Sequence, residues 1–316
     1  LPASWSGQDL ARATSGAAAT LLGKIYLRNH DYANAKTYID MVLNSGQYEL
    51  ESDFKYVWSE NNKYGKEMIF ALLHETGNNA AEIACHFGPS DHPEVPGRWQ
   101  YYGVSRPFWR SYDKEDPRLE FFYYDYTGDA KRDDQSDYGF HYMVPEEGVT
   151  VVPNDTTKYM QNVATMKYTY DMISDAYYDG RTICIFRLSD VILCKAEIEN
   201  NLNGPAAALP YLNQIRARAG APEYGKHNRF PAPSTKETMN DAILKERGYE
   251  LVFEFQRRAD LIRFGKYEEV VNAHLKKLGI AQPTNVTSSL RYFPYPLNDA
   301  QLNPNLAAEN PSRLPK

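Results

Sequence analysis

The sequence predicts a mainly α-helical protein, built from tetratricopeptide-like helix pairs in an α/α superhelix, with a long irregular insert. Apolar residues recur at helical spacing in two separated segments, 11–46 and 186–220, and each segment has a break near its middle. Between the two, Gly, Pro, Asn and Asp interrupt every periodic run of residues 75–180. The two interrupted segments indicate helical hairpins, and the region between them indicates a loop-rich insert.

The first predicted pair covers residues 11–46 and breaks at 29–31. We expect two apolar stripes to face each other, because neither would be stable in water alone. One consists of Leu21, Leu22, Ile25 and Tyr26, and the other of Ala35, Ile39, Val42 and Leu43. Gly23 and the small residues at 16–19 permit close helix contact, and Gly46 is a suitable stop signal.

The second predicted pair covers residues 186–220. Its apolar positions are Leu188, Val191, Ile192 and Ala196, then Leu209, Leu212 and Ile215. The break falls at 200–204, and Pro205 suits the first turn of the next helix. Residues 21–24 align with 192–195, which indicates a diverged pair of tetratricopeptide-type hairpins.

A third helical segment is predicted from Thr235 to about Gly265. It is dense in charge, and spacings of three and four residues would place opposite charges side by side on one helix. The charged residues are Glu246, Arg247, Glu250, Glu254, Arg257, Arg258, Asp260 and Arg263. We interpret them as a structural network of ion pairs.

The insert carries an unusual number of aromatic residues. The chain has 25 Tyr, and aromatic residues make up 13% of it. Many cluster here: Trp99, Tyr101, Tyr102, Phe108, Trp109, Tyr112, Phe121, Phe122, Tyr123, Tyr124 and Tyr126. A long irregular segment inside a compact domain is typical of a binding surface, where rigid rings provide contact area.

The predicted ligand-binding residues lie in one short loop, and they are Arg98, Trp99, Gln100, Tyr101 and Tyr102. Flat rings suit the apolar C–H face of a sugar, and planar polar side chains suit its hydroxyl groups. The alternative is that Trp99 and Tyr102 pack beneath the loop. For Phe108 and Trp109 we favour core packing.

Composition and motifs exclude several other functions. The net charge of -6 disfavours nucleic acid as a partner, and no apolar run approaches the ~18 residues of a membrane span. The three cysteines, Cys85, Cys184 and Cys194, have neither zinc-type spacing nor an even count, although Cys184 and Cys194 could pair. We expect buried thiols instead.

No cofactor, metal or catalytic residue is predicted. Cys85, His86, His92 and Glu94 lack the spacing of a zinc site, and the acidic loop 128–137 lacks the ligand pattern of an EF-hand. There is no G-x-S-x-G, H-E-x-x-H or Walker motif. A glycoside hydrolase remains an alternative, because its carboxylates are paired in space and cannot be recognised from spacing.

Several segments resemble the SusD-like, or RagB-like, nutrient-binding lipoproteins of Gram-negative outer membranes. The similar segments are 12–27 (beginning RATSGA), 31–35 (DYANA), 44–48 (NSGQY), 107–109 (PFW), 112–119 (YDKEDPRL), 186–197 (FRLSDVILCKAE), 212–220 (LNQIRARAG), 243–254, 257–267 (RRADLIRFGKY), 293–296 (FPYP) and 303–305 (NPN). Their order and spacing are more specific than any single segment, and they extend over residues 11–311. One departure is Phe255, where many relatives have Gly.

The resemblance implies a cell-surface protein that is not an enzyme, captures an oligosaccharide or other nutrient, and hands it to a SusC-like TonB-dependent transporter. It also implies an outward-facing position on the outer membrane, through a lipid anchor that this chain does not contain. Family members are commonly longer, and the chain opens at Leu1 without a leader, so we expect a missing N-terminal portion. A tetratricopeptide-type protein-interaction scaffold is the other alternative.

The predicted organisation is a single domain, 1–316. Within it lie the helix pairs 11–46 and 186–220, the loop-rich insert 75–180 as the candidate ligand region, and a C-terminal helix with an extended tail, 235–316.

Overall fold

The structure is a computed structural model of the full chain. It describes residues 1–75, 81–95, 98–128, 140–146, 157–160, 162–168, 171, 180–277, 286–287 and 293–309. The chain forms two compact units, Leu1–Glu250 and Leu251–Lys316. Most of the predicted acidic loop, residues 129–137, lies outside the described residues.

The first unit contains seven of the α-helices in the described part of the chain. They are α1 (Ser15–Arg28), α2 (Tyr32–Leu43), α3 (Ile83–Phe87), α4 (Arg106–Trp109), α5 (Leu188–Asn203), α6 (Pro205–Arg218) and α7 (Lys236–Glu250). Side-chain caps start the first pair, since Thr14 Oγ1 accepts from Ala17 N at 3.2 Å and Asp31 Oδ1 from Asn34 N at 3.2 Å. Pro205 is the first residue of α6, where its missing N–H costs no hydrogen bond.

Short strands connect the helices. They are β1 (Met68–Leu72), β2 (Val104–Ser105), β3 (Phe122–Tyr123), β4 (Asp125–Thr127), β5 (His141–Met143), β6 (Thr157–Tyr159), β7 (Asn162–Thr165) and β8 (Ile183–Arg187). β1 pairs antiparallel with β8, from Met68 opposite Arg187 to Leu72 opposite Ile183. The others form the sheets β2-β7-β3 and β4-β5-β6, in which only β5 and β6 are parallel.

The helices α1 and α2 pack together, and of the predicted stripe of α1 it is Tyr26 that contacts α2, where it stacks on Tyr38 with ring centroids 5.6 Å apart. Leu21, Leu22 and Ile25 are exposed by 49%, 39% and 46%, so that part of the prediction was wrong. The buried face of α1 consists mainly of small residues: Ala17, Ala19, Thr20, Gly23 and Leu27. A Cβ atom on Gly23 would lie 2.8 Å from Ile39 Cδ1, so the small face lets α2 come close.

The core of the first unit lies between α2 and α5. Ala35, Ile39 and Val42 of α2 pack with Val191 and Ile198 of α5, and all five are nearly inaccessible to solvent. α5 is buried over residues 188–200, including its charged positions. It is therefore the central helix, with α2, α6 and α7 around it.

The third predicted helix is interrupted. α7 ends at Glu250, and a new helix begins at Arg257 after Phe253 and Phe255, which have φ of 63° and 60°. A residue with a left-handed backbone cannot continue an α-helix, so the single helix expected from 235 to 265 was wrong.

The charges of α7 bind other elements rather than their helical neighbours. Glu246 contacts Arg216 and Arg118 at 2.7 Å each, and Glu250 contacts Arg187 at 2.6 Å. The interpretation as a structural ion-pair network holds for these residues. Of the side-by-side pairs expected along a helix, Asp260 and Arg263 form one at 3.0 Å, three residues apart. Glu246 and Glu250 bind other elements instead.

The second unit contains α8 (Arg257–Arg263), α9 (Tyr267–Lys277), α10 (Leu297–Leu302) and α11 (Pro304–Glu309). Within it, the guanidinium of Arg258 lies 4.5 Å from the ring centre of Phe293, a cation–π contact. In both units helices predominate, as the sequence predicts. Among the described residues, no helix is both long and apolar enough to cross a membrane.

Candidate functional site

The loop that carries the predicted site residues is fixed to α3. Trp99 N donates to Cys85 O at 2.7 Å, and Tyr102 N donates to His86 O at 3.1 Å. These carbonyl groups belong to the last turn of a short helix, where the helix itself provides no partners. The loop and the helix end therefore satisfy each other and hold residues 99–102 in one position.

Gln100 fixes the other side of the loop. Its Oε1 accepts from Ser90 N at 3.2 Å, and its Nε2 donates to Asn162 O at 3.0 Å. Its φ of 50° is unusual for a residue with a side chain. The amide thus bonds within the protein, whereas its place in an aromatic loop predicts contact with a ligand.

Gly103 permits the loop to lie against β7. A Cβ atom at this position would come within 2.8 Å of Val163 O and 2.9 Å of Asn162 Cβ. Only glycine allows this approach without a shift of the backbone. The aromatic residues that precede it are therefore held close to a paired strand.

Three exposed rings form the surface of the loop: Trp99 is 37% exposed, Tyr101 65% and Tyr102 58%. The ring of His86 lies among them, with centroid distances of 5.2, 5.4 and 6.2 Å to Trp99, Tyr101 and Tyr102. Phe87 supports Tyr102 from a centroid distance of 5.4 Å. We call Trp99, Tyr101, Tyr102 and His86 the aromatic platform.

His86 is the member of this platform that sequence reasoning missed. In the sequence it stands out only as a candidate metal ligand, because a lone His carries no pattern that links it to rings 13 to 16 residues away. In the structure its side chain is 30% exposed, and its Nε2 lies 3.7 Å from Glu82 Oε2. The contact with the platform follows from the fold of the loop over α3.

Arg98 lies at the base of the loop, only 4% exposed. Its aliphatic part packs on Gly88, where an added Cβ atom would lie 2.8 Å from Arg98 Cγ. Of the five predicted residues, the structure therefore places Trp99, Tyr101 and Tyr102 at the surface. Arg98 and Gln100 lie where they can hold the loop.

The other aromatic residues of the insert are divided between core and surface. Tyr112, Phe121, Phe122 and Tyr126 are buried, Phe108, Trp109 and Tyr123 are half-buried, and Tyr124 is 45% exposed.

Tyr126 and Tyr142 stack with ring centroids 4.9 Å apart. Burial, and then the nearby Asp91 carboxylate, raise the pKa of Tyr142 to about 12, so this hydroxyl stays neutral at physiological pH.

The platform presents apolar and aromatic surface to solvent. Exposed rings at different angles offer flat apolar faces, which suit the C–H faces of sugars. All three cysteines are buried, and none is in a disulfide bond. Within the described part of the chain, no group of three or more His, Cys, Asp or Glu side chains is placed to hold a metal ion.

The profile of the SusD family matches residues 44–312. The chain belongs to the SusD family. This confirms the resemblance that the sequence motifs indicate. The family consists of non-catalytic glycan-binding proteins that are associated with the cell surface and outer membrane.

Curated SusD-family relatives are longer than this chain. It is 26% identical to SusD-like protein P25 of Formosa agariphila, over 94% of this chain and 58% of that protein. It is 28% identical to the starch-binding protein SusD of Bacteroides thetaiotaomicron, over 43% of this chain and 22% of that protein. The chain thus spans a little over half the length of the first relative.

Solved structures show the same fold. Surface glycan-binding protein A from Bacteroides thetaiotaomicron, in complex with laminarihexaose, has a TM-score of 0.70 and 21% identity, over 100% of this chain and 66% of that chain. A laminarin-binding SusD-like protein has a TM-score of 0.67 and 23% identity, over 95% and 63%. At these identities the similarity establishes the SusD fold of this chain.

Proposed function

We propose that this SusD-family chain captures an oligosaccharide at the cell surface through its aromatic platform and does not alter it chemically. The observation that carries the proposal is the group of exposed rings, Trp99, Tyr101 and Tyr102, around His86. Soluble proteins rarely hold several large rings together at the surface unless the rings bind something. The glycan ligands of its relatives support a sugar as that ligand.

The rings contribute contact area, and the loop contributes rigidity. The rings of Trp99 and Tyr101 have centroids 5.4 Å apart and an interplanar angle of 36°. They can therefore contact successive sugar rings of a twisted oligosaccharide. Tyr hydroxyl groups can bond to sugar hydroxyls. In this proposal Arg98 and Gln100 hold the loop in its binding conformation, which lowers the entropy lost on binding.

The wider role follows from the family. We propose that the chain lies on the outward-facing surface of the outer membrane and is held there by a lipid anchor. There it hands the glycan to a SusC-like TonB-dependent transporter. The helix pairs α1–α2 and α5–α6 would form a tetratricopeptide-like superhelix, the rigid frame that presents the platform.

Affinity electrophoresis on a panel of polysaccharides, with reducing-sugar release measured alongside, tests the capture role. Laminarin is the first probe, since relatives bind it. We expect retardation without sugar release. Trp99→Ala should weaken binding about tenfold or more, which corresponds to ~1.4 kcal/mol.

Tyr124→Ala is the matched control, because Tyr124 is a 45% exposed ring outside the platform. It should keep the mobility shift. An unchanged shift in Trp99→Ala would reject the platform as the binding site. Release of reducing sugar would favour a glycoside hydrolase, and a protein that no polysaccharide retards would favour an interaction scaffold.

A further inference from the structure

A groove in the first unit lies between three segments of chain, 3–14, 47–48 and 63–73. Its volume is about 220 Å³, and β1 contributes part of its lining. Among the described residues, those that line the groove include none of the aromatic platform. The groove is therefore a separate candidate for ligand binding.

Hydrogen bonds fix the aromatic walls of the groove. Trp5 Nε1 donates to Ala13 O at 3.0 Å, which holds the N-terminal segment against the start of α1. Tyr48 OH and Thr14 Oγ1 share a hydrogen bond of 3.1 Å. Both rings are therefore in place before any ligand arrives, which reduces the cost of binding.

A further ring is open to solvent. Tyr64 lines the groove and is 59% exposed. It lies in a turn ahead of β1, which is closed by Gly65 N donating to Asn62 O at 2.9 Å. An exposed ring beside a fixed cavity offers a flat face on which a sugar ring can stack.

The charges of the groove have one sign. Arg12, Lys63 and Lys66 line it, and none of the described lining residues is Asp or Glu. Thr14, the N-cap of α1, also lines it, so the positive end of a 14-residue helix faces the same region. Asp9 and Glu49 pair with two of these cations at the rim, so the groove favours an anionic ligand that replaces those carboxylates.

The cations at the rim can exchange their partners readily. Lys66 pairs with Glu49 at 3.1 Å and Arg12 with Asp9 at 2.8 Å, and all four side chains are at least 44% exposed. Exposed pairs of this kind stabilise a protein little. An arriving anion can therefore replace either carboxylate at small cost.

We propose that this groove is a second saccharide site, which takes an acidic sugar residue, either a uronate or a sulfated sugar. Tyr64 would stack on the sugar ring, while Lys66 and Arg12 would bind the carboxylate or sulfate group. The volume suits a single sugar ring or the end of a chain, since sites for larger ligands measure roughly 300–1,000 Å³. This inference rests on the proposed glycan-binding function.

Calorimetric titration of the full chain with paired probes tests the proposal. The uronate arm uses trigalacturonate and its carboxyl-reduced, neutral counterpart, and the sulfate arm uses a sulfated agaro-oligosaccharide and its desulfated form. We expect one acidic probe to bind at least tenfold more tightly than its neutral partner. Its binding should weaken as NaCl is raised, because salt screens exposed charges.

Two variants locate the binding site. Tyr64→Ala should abolish the preferred probe's binding, and Lys66→Gln should weaken it about five- to tenfold. Lys226→Gln is the matched control, since Lys226 is also exposed, by 68%, and also holds a single carboxylate, that of Glu223. It should leave the affinity unchanged.

The outcomes separate this proposal from the capture role of the platform. Equal affinity for acidic and neutral probes, or no binding of either acid, would overturn the second site. Loss of acidic-probe binding in Trp99→Ala, with Tyr64→Ala unaffected, would assign the acid to the platform instead. Laminarihexaose binding tests the platform independently and should not change in Lys66→Gln.

Discussion

Gln100 shows how one polar side chain can organise neighbouring aromatic residues. Its amide joins Ser90 and Asn162, which belong to segments on either side of the loop. Each such hydrogen bond contributes about 0.5–1.5 kcal/mol. The free energy of these hydrogen bonds offsets the cost of the left-handed backbone at Gln100 and the conformational entropy lost when the loop is ordered.

Gln100→Ala should therefore loosen the loop and weaken glycan binding several-fold. The backbone amides of Trp99 and Tyr102, which donate to the end of α3, should exchange with deuterium faster. Hydrogen exchange followed by mass spectrometry, together with titration by laminarihexaose, measures both effects. Gln8→Ala, at an exposed glutamine outside the loop, should change neither. Lost affinity with unchanged exchange would instead indicate a direct contact between Gln100 and the sugar.

At the residue scale, the sequence predicts which loop carries exposed aromatic rings better than it predicts what each polar side chain of that loop binds. The density of Trp and Tyr in 98–102 indicates a surface loop, and three of its rings are indeed exposed. Whether an amide or a guanidinium points to a ligand or to the protein depends on distant residues. Gln100 and Asn162 are 62 positions apart, and no spacing rule links them.

At the scale of elements, the pair α1–α2 shows where hydropathy misleads. Large apolar residues such as Leu21 and Ile25 predict the buried face of α1, but that face consists mainly of small residues instead. Gly23 permits a short distance between the helices, and this distance stabilises the pair because dispersion contacts with Ile39 increase as the helices approach. The helix bounds, by contrast, follow from caps and breaks that are local in sequence.

Gly23→Ala should destabilise the protein by about 1–3 kcal/mol, although alanine has the higher helix propensity. The added methyl group would lie 2.8 Å from Ile39 Cδ1 and 2.9 Å from Ile39 Cγ1. Ile39 is fully buried. Urea unfolding of both single variants and of the double variant with Ile39→Ala measures the coupling. We expect Ile39→Ala to cost less in the Gly23→Ala background than alone.

Leu21→Ala is the control for this cycle, because Leu21 lies on the same helix and is 49% exposed. It should change the free energy of unfolding by less than about 1 kcal/mol and show no coupling to Ile39→Ala. A stabilising effect of Gly23→Ala would show that helix propensity outweighs the close approach of the two helices.

At the scale of the whole first unit, a buried ion network joins elements that are far apart in sequence. It consists of Arg118, Arg187, Arg216 and Arg218 with Glu67, Asp116, Glu246 and Glu250, whose side chains are at most 5% exposed. Four positive and four negative charges balance, and such balance is needed because an unpaired buried charge is very costly. The network thus fixes the 116–118 turn, β8, α6 and α7 relative to one another.

Buried carboxylates inside and outside this network make stability depend on pH. Burial opposes the ionisation of Glu250, but Arg218, Arg187 and Arg118 outweigh it and hold its pKa well below the usual 4.5. Burial likewise opposes ionisation of Glu199, yet hydrogen bonds from Lys195 and Lys36 lower its pKa to about 2. A lowered folded pKa adds stability above the unfolded value, and the protein loses that stability as pH falls through the folded value.

The free energy of unfolding should therefore be steady from pH 7 to about 5 and fall steeply between about pH 4.5 and 2, by ~1.4 kcal/mol for each unit of pKa shift. Glu250→Gln should lower it by about 3–5 kcal/mol at pH 7, since three arginines lose a charged partner, and should make the acid slope shallower. Glu49→Gln, at a 71% exposed carboxylate, should alter neither. Urea titrations at a series of pH values measure these slopes, and equal slopes for Glu250→Gln and the unmodified chain would show that the network does not govern acid stability.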